Sequence, residues 1–277
     1  MVVFPNAKIN IGLNVLNKRE DGFHNLESIF YPIYWCDILE INKSDTVEPE
    51  GYQFKTSGIA IDGDLTNNLV VKAFKLIKNQ YHIPDCKIHL HKQIPMGAGL
   101  GGGSADAAFT LTLLNNLFEL SISLENLIEL ADTLGSDCPF FIKNTPQFVS
   151  GKGDIMTDIN FDLSGYFIKL VNPNIHISTK VAFNNLDLPQ PIQNFNLKNL
   201  TPQLLFDKNQ KVVNDFEKGI FNLHPKLLKI KQQLIKEGAL YASMTGTGST
   251  IYGIYQHQPK LSFKHKNYTE KVFKLQH

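Results

Sequence analysis

Five glycines stand in the seven positions from Gly97 to Gly103. A backbone so free of Cβ atoms can take positive φ and come close to a ligand. Before it, Cys86, Ile88 and Leu90 alternate with Lys87, His89 and His91, which is the period of a strand. After it, Ala107, Leu111, Leu114 and Phe118 recur at helical spacing. Strand, glycine loop and helix in that order set the unpaired N–H groups and positive end of a helix against the loop, where phosphate binds well. A Gly/Ser linker would not be bracketed by two elements that each have a core face. No lysine follows the last glycine, so the GxxxxGK motif of Walker-type NTPases is missing. Gly97, Gly99 and Gly102 do satisfy GxGxxG. The acidic residue that a dinucleotide site needs about 20 positions later would be Glu119, at a helix end and not a strand end, which counts against a dinucleotide oxidoreductase.

Two other places offer chemistry. In AKINIGLNV, residues 7 to 15, Ile9, Ile11, Leu13 and Val15 share one side of a strand, and Lys8, Asn10, Gly12 and Asn14 share the other. Taken alone, that polar side could simply face water. Asp137 lies in SDCPFF, just past the helix that Leu124, Leu127, Ile128, Ala131 and Leu134 define and Gly135 ends. Pro139 is expected to hold Cys138 extended, and the flanking Phe residues to shield the Asp137 carboxylate in part. An isolated Asp there could equally be bonding local backbone in a turn.

The remaining pattern supplies the elements that must position these groups. Extended segments are expected from Phe23 and His24 through Ile33, over Asp37–Ile41, Tyr52–Thr56, Gln147–Ser150 and Tyr166–Val171. A helix should run from Asn68, its cap, along Val70, Phe74 and Ile77. A short helix carrying Phe183 is expected over Ser178–Leu186, followed by an Asn- and Pro-rich surface excursion to about residue 203. Helices over Val212–Leu223 and Pro225–Glu237 come next. Two short apolar segments then flank Thr245-Gly246-Thr247-Gly248-Ser249, a hairpin turn or a second glycine loop. The turn Gly151-Lys152-Gly153-Asp154 suggests a domain boundary, giving domains of 1–153 and 154–277.

With 277 residues there is chain for two medium domains, and a net charge of +1 gives no bulk field that would favour nucleic acid. The basic residues near the C-terminus read as a solvated face. Cys36, Cys86 and Cys138 are few, odd in number and lack metal-ligand spacing, as suits reduced thiols. No signal-peptide pattern or run of ~20 apolar residues appears, so a cytoplasmic protein without membrane partners is expected. Oligomeric state is left open between monomer and weak dimer.

A phosphate cradle, a cation and a shielded carboxylate are the components of phosphoryl transfer to an alcohol. The run PMGAGLGGGSADAA closely resembles the phosphate-loop signature of the galactokinase, homoserine kinase, mevalonate kinase and phosphomevalonate kinase superfamily. With AKINIGLNV, REDGFHNLESIF, LGSDCPFF and MTGTGS in that order, the chain resembles the kinases of 4-diphosphocytidyl-2-C-methyl-D-erythritol along nearly its whole length. The resemblance implies an α+β, two-domain small-molecule kinase fold, like ribosomal protein S5 domain 2 in its N-terminal part and ferredoxin-like in its C-terminal part. It implies ATP and Mg²⁺ as cofactors, and transfer to the 2-hydroxyl of that small-molecule substrate in the non-mevalonate isoprenoid pathway. Lys8 and Asp137 match the family's catalytic residues. Gly97, Ala98, Gly99, Leu100, Gly101, Gly102, Gly103 and Ser104 would hold the phosphates, with Asn68, Leu69, Lys92, Pro95 and Met96 on the adenosine side. Asn10 and His24 match substrate contacts, Phe23 and Phe183 would sandwich the cytosine, and Gly246, Thr247 and Gly248 would approach from the second domain. Position 23 is usually Tyr in the family, so the ring is kept and its hydroxyl is not. A homoserine- or mevalonate-type kinase, or an inactive nucleotide sensor on the same fold, is the alternative. No motif supplies a dedicated set of metal ligands.

Overall fold

The computed structural model describes residues 1–186 and 196–276. In chain order the strands are β1 (Val2–Val3), β2 (Asn6–Lys18), β3 (His24–Cys36), β4 (Ile38–Lys43), β5 (Tyr52–Gly58), β6 (Cys86–Lys92), β7 (Gln147–Ser150), β8 (Ile155–Asp158), β9 (Phe167–Asn172), β10 (Tyr241–Met244), β11 (Ile251–Tyr255) and β12 (Thr269–Lys274). The α-helices are α1 (Leu69–Tyr81), α2 (Gly102–Leu117), α3 (Leu124–Leu134), α4 (Cys138–Lys143), α5 (Thr179–Asn184), α6 (Pro202–Phe206), α7 (Phe216–Leu223) and α8 (Pro225–Lys236). The architecture is α+β, and the chain divides into two compact units. One comprises Met1–Ala7, Trp35–Met96 and Gly101–Thr145; the other comprises Lys8–Tyr34, Gly97–Leu100 and Pro146–His277.

The first unit is built on a sheet ordered β1-β4-β6-β5, antiparallel between β4 and β6 and parallel between β5 and β6. Register pairs Leu39 with Leu90 and Ile41 with Ile88, so the apolar side of both strands lies on one face. That face meets Val70, Phe74 and Ile77 of α1, Leu111 and Leu114 of α2, and Leu127 and Leu130 of α3 in one core. Asn68 caps α1 as its sequence position suggests, its side-chain oxygen accepting from the Val70 N–H at 2.9 Å.

The second unit holds a sheet ordered β10-β11-β9-β12, antiparallel throughout. Leu227, Ile230 and Leu234 of α8 and Phe216 and Ile220 of α7 share a core with Val171, Met244 and Ile251 of its strands. A further sheet is ordered β2-β3-β7-β8, with β2 at its edge.

Several expectations change. Cys138 is not extended: it begins α4, with Pro139 in the first turn. A missing N–H costs nothing there, and this outweighs the usual restriction on the residue before proline. Residues 212 to 214 are not helical, because Leu13 of β2 takes the Val213 carbonyl at 2.9 Å and gives its own carbonyl to the Asp215 N–H at 2.9 Å. Residues 151 to 154 turn the chain between β7 and β8, which pair as a hairpin. Strands β8 and β12 carry weak alternation and escape a reading by pattern. Residues 187 to 195 of the expected surface excursion lie outside the described residues. Among the described residues no helix is long and apolar enough to cross a membrane.

Candidate active site

Within the glycine loop, Gly97, Gly99 and Gly101 take φ of 61°, 77° and 70°. Gly101 is the N-cap of α2 and offers no side-chain cap, which leaves the first-turn N–H groups of that helix to a ligand. The close approach is real at two positions. A Cβ on Gly99 would lie 2.1 Å from the Thr245 carbonyl oxygen, and one on Gly102 would lie 2.9 Å from Ile94 and 3.0 Å from the Lys92 ammonium.

In the first unit that ammonium belongs to a buried ionic cluster. Lys92 Nζ donates to Asp37 Oδ2 and, at 2.8 Å, to Asp106 Oδ2, while Asp37 Oδ1 accepts from the backbone N–H of Gln93 and of Ile94. Burial by itself would lower the Lys92 ammonium, but Asp106 and Asp37 outweigh it and hold it above its ordinary value. Burial pushes the Asp106 carboxyl up to about 7, with Lys92 opposing and Asp37 adding to the rise. Asp106 Oδ1 is buried with no hydrogen-bond partner among the described residues. The Lys92 carbonyl is also engaged, by the Ile59 N–H at 2.8 Å. Through these bonds Lys92 braces β6 against Asp37, the residue before β4, and against α2.

Leu69 lies 3.9 Å from the position a Gly103 Cβ would take, which brings α1 to the loop's helix end. Met96 is exposed, Pro95 and Ser104 are half-buried, and Asn68 spends its side-chain oxygen on the α1 cap. Asp137 is half-buried at the N-cap of α4 and makes no side-chain cap hydrogen bond there.

In the second unit the polar side of β2 is not solvated: Lys8 and Asn10 are each 3 % exposed. Lys8 Nζ donates to Asn10 Oδ1 at 2.7 Å and sits 4.3 Å from the centre of the Phe30 ring. Asn10 Nδ2 donates to Ser28 Oγ at 2.9 Å, and Ser28 Oγ donates to the Gly12 carbonyl at 2.7 Å. Tyr252 donates to the Asn10 carbonyl at 2.7 Å. Asn10, expected to touch substrate, is thus heavily committed to holding Lys8. The second glycine loop is held by Asn214 Nδ2, which donates to the carbonyls of Met244 at 2.9 Å and Gly246 at 2.8 Å. Gly246 and Gly248 take φ of 56° and 96°, and Thr247 is half-buried between them.

Models of the GHMP kinases N terminal domain and the GHMP kinases C terminal domain match residues 68–145 and 198–270. The 4-diphosphocytidyl-2-C-methyl-D-erythritol kinase of Azobacteroides pseudotrichonymphae genomovar. CFP2 is 49% identical over 259 residues, covering 92% of this chain and 94% of that protein. The chain belongs to the 4-diphosphocytidyl-2-C-methyl-D-erythritol kinase family. The member from Bacteroides thetaiotaomicron is 44% identical over 256 residues, 92% of each chain. A crystal structure of 4-(cytidine 5'-diphospho)-2C-methyl-D-erythritol kinase matches with a TM-score of 0.76 at 27% identity, over 92% of this chain and 90% of that one. Mevalonate kinase from Methanococcus jannaschii, at 14% identity and a TM-score of 0.64 over 92% and 90% of the two chains, shares the fold.

His24 and Phe183, both expected beside the acceptor of this kinase family, meet one another. Phe183 is stacked by His24, with ring centres 4.9 Å apart and planes at 23°, and meets Phe216 edge-on. Phe23 is exposed, with Lys152 Nζ 5.6 Å from its ring. Burial and the nearby Lys18 lower the His24 imidazole below its ordinary value, favouring the neutral ring that stacks. The residues that pattern reading missed are Asp37, Asp106, Ser28 and Thr245. Ser28, Asp106 and Thr245 lie inside motifs the sequence singles out, but their partners are remote in the chain.

Proposed function

We propose that this GHMP-family kinase transfers the γ-phosphoryl group of ATP to the 2-hydroxyl of 4-diphosphocytidyl-2-C-methyl-D-erythritol, releasing ADP. The observation that carries the reading is the buried line from Lys8 through Asn10 to the glycine loop. It holds a cation in a water-poor setting tied to the backbone that would cradle phosphate, and preorganised charge of this kind is the main lever in phosphoryl transfer.

Residues 97 to 104 would hold the phosphates through backbone N–H groups. Asn68, Leu69, Pro95 and Met96 would flank the adenosine, and Lys92 would act through the shape of the loop. Lys8 would offset charge on the moving phosphoryl group, and Asp137 would accept or orient the proton of the acceptor hydroxyl. Phe183 and His24 supply ring faces for the cytosine, with Gly246, Thr247 and Gly248 near the rest of the acceptor. Among the described residues no group of three metal-ligating side chains occurs. A Mg²⁺ would be carried by the nucleotide, keeping several waters and needing few protein ligands. Such an ion neutralises phosphate charge.

Purified protein with Mg-ATP should form ADP in the presence of the cytidylyl acceptor and not with homoserine or mevalonate. Activity on homoserine alone would transfer the assignment elsewhere in the superfamily. Asp137→Asn should lower kcat by about 10²- to 10⁴-fold with ATP affinity largely kept. Loss of ATP binding instead would make Asp137 a scaffold residue.

A further inference from the structure

Strand β2 is the edge of its sheet, so its outward N–H groups need partners other than a neighbouring strand. Two in succession turn to loops. The Lys8 N–H donates to the Leu100 carbonyl at 2.9 Å, inside the glycine loop, and the Asn10 N–H donates to Thr245 Oγ1 at 3.0 Å. Thr245 Oγ1 in turn donates to the Gly99 carbonyl at 2.9 Å, with Asn10 Oδ1 a more distant acceptor at 3.3 Å. Thr245 is fully buried, and its own backbone is fixed by the Thr250 carbonyl and the Gly248 N–H, both at 3.0 Å.

A hydroxyl has one proton and two lone pairs, and here it is used in both senses at once. It receives a donor from the strand that carries Lys8 and gives its proton to the loop that would carry phosphate. The absence of a Cβ on Gly99 lets the two backbones come this close. We propose that Thr245 is a positioning residue for phosphoryl transfer: its hydroxyl fixes the distance between the Lys8–Asn10 pair and the glycine loop at Gly99. The inference rests on the kinase reading above. It adds a residue that would touch neither nucleotide nor acceptor, acting on the step through Asn10 and Lys8.

Valine matches threonine in shape and lacks the hydroxyl. Thr245→Val leaves the Asn10 N–H and the Gly99 carbonyl without their partner, and the ammonium loses its fixed place relative to the phosphate backbone. Misplacement on the scale of 1 Å can cost about 10²-fold in rate, so kcat should fall by roughly 10- to 100-fold. The KM for ATP and for the cytidylyl acceptor should change by less than about threefold, since the groups that would touch them are intact. Thr245→Ser keeps the hydroxyl and should stay within about threefold of the parent kcat. Amide hydrogen exchange of the substrate-free protein supplies a readout independent of turnover. Exchange at the Asn10 N–H should accelerate in Thr245→Val and not in Thr245→Ser.

A Thr245→Val protein with the parent kcat overturns the proposal. So does equal loss in the serine variant, which would mean that the methyl group and its packing matter, or a rise in KM alone. If Thr245→Val does not fold, Thr245→Ala against Thr245→Ser carries the same contrast of hydroxyl and none. A parent protein that turns over no cytidylyl acceptor overturns the kinase reading itself, an outcome distinct from an active parent whose valine variant is unimpaired.

Discussion

Each compact unit buries a lysine, and the two sit in different settings. Lys92 is clamped by Asp37 and Asp106 at the junction of strand, loop and helix. Lys8 donates to the amide oxygen of Asn10 and faces the ring of Phe30, on a strand tied through Thr245 to the glycine loop at Gly99. The first setting holds secondary-structure elements together; the second is where a cation would serve the proposed phosphoryl transfer. Burial alone therefore does not mark a functional lysine; its place in the fold does.

Removing each ammonium in turn separates the two roles. Lys8→Met should lower kcat by about 10²- to 10³-fold, measured with saturating Mg-ATP, while the unfolding midpoint moves little. Lys92→Met leaves two buried carboxylates facing each other and should cost about 3–5 kcal/mol of stability, read by denaturant titration. If Lys92→Met were as stable as the parent yet inactive, the contrast between brace and catalyst would collapse.

The cluster also makes a prediction about pH. With Asp106 pushed up to about 7, the folded state keeps a proton that the unfolded chain releases near the ordinary carboxylate value. Between those values the native state binds more protons, so this group's contribution to stability falls as pH rises towards 7 and levels off above it. Asp106→Asn should flatten that part of the stability-pH curve. An unchanged curve would mean that the raised carboxyl is not Asp106. A smaller effect is expected at the aromatic pair: Phe183→Ala should raise the KM for the cytidylyl acceptor by about three- to tenfold and leave kcat nearly unaltered. An unchanged KM would remove the ring from acceptor binding.

Much of this was open to reading from pattern, and the limits were physical. The glycine loop was legible because its neighbours carry the periods of a strand and a helix, and the Asn68 cap because one side chain serves an adjacent N–H. Lys8 and Asn10 were legible as a polar strand face but not as buried. Alternation says that two sides differ, and only the structures covering each side decide which is wet. Asp37 and Asp106 were invisible because their meaning comes from Lys92, 55 and 14 residues away in the chain. The stacking of His24 on Phe183 was not legible, since aromatic type can be read from sequence and which rings meet depends on the fold.

The sequence by itself determined the chemistry on offer: a phosphate loop, an alternating strand with one cationic side and a family signature along nearly the whole chain. These are local properties, set by residue type and by the fixed periods of helix and strand. Tertiary structure alone decided which carboxylates meet Lys92, and that a threonine hydroxyl joins β2 to Gly99. Hydrogen bonds and burial link residues as much as 242 positions apart, and no spacing rule spans that separation.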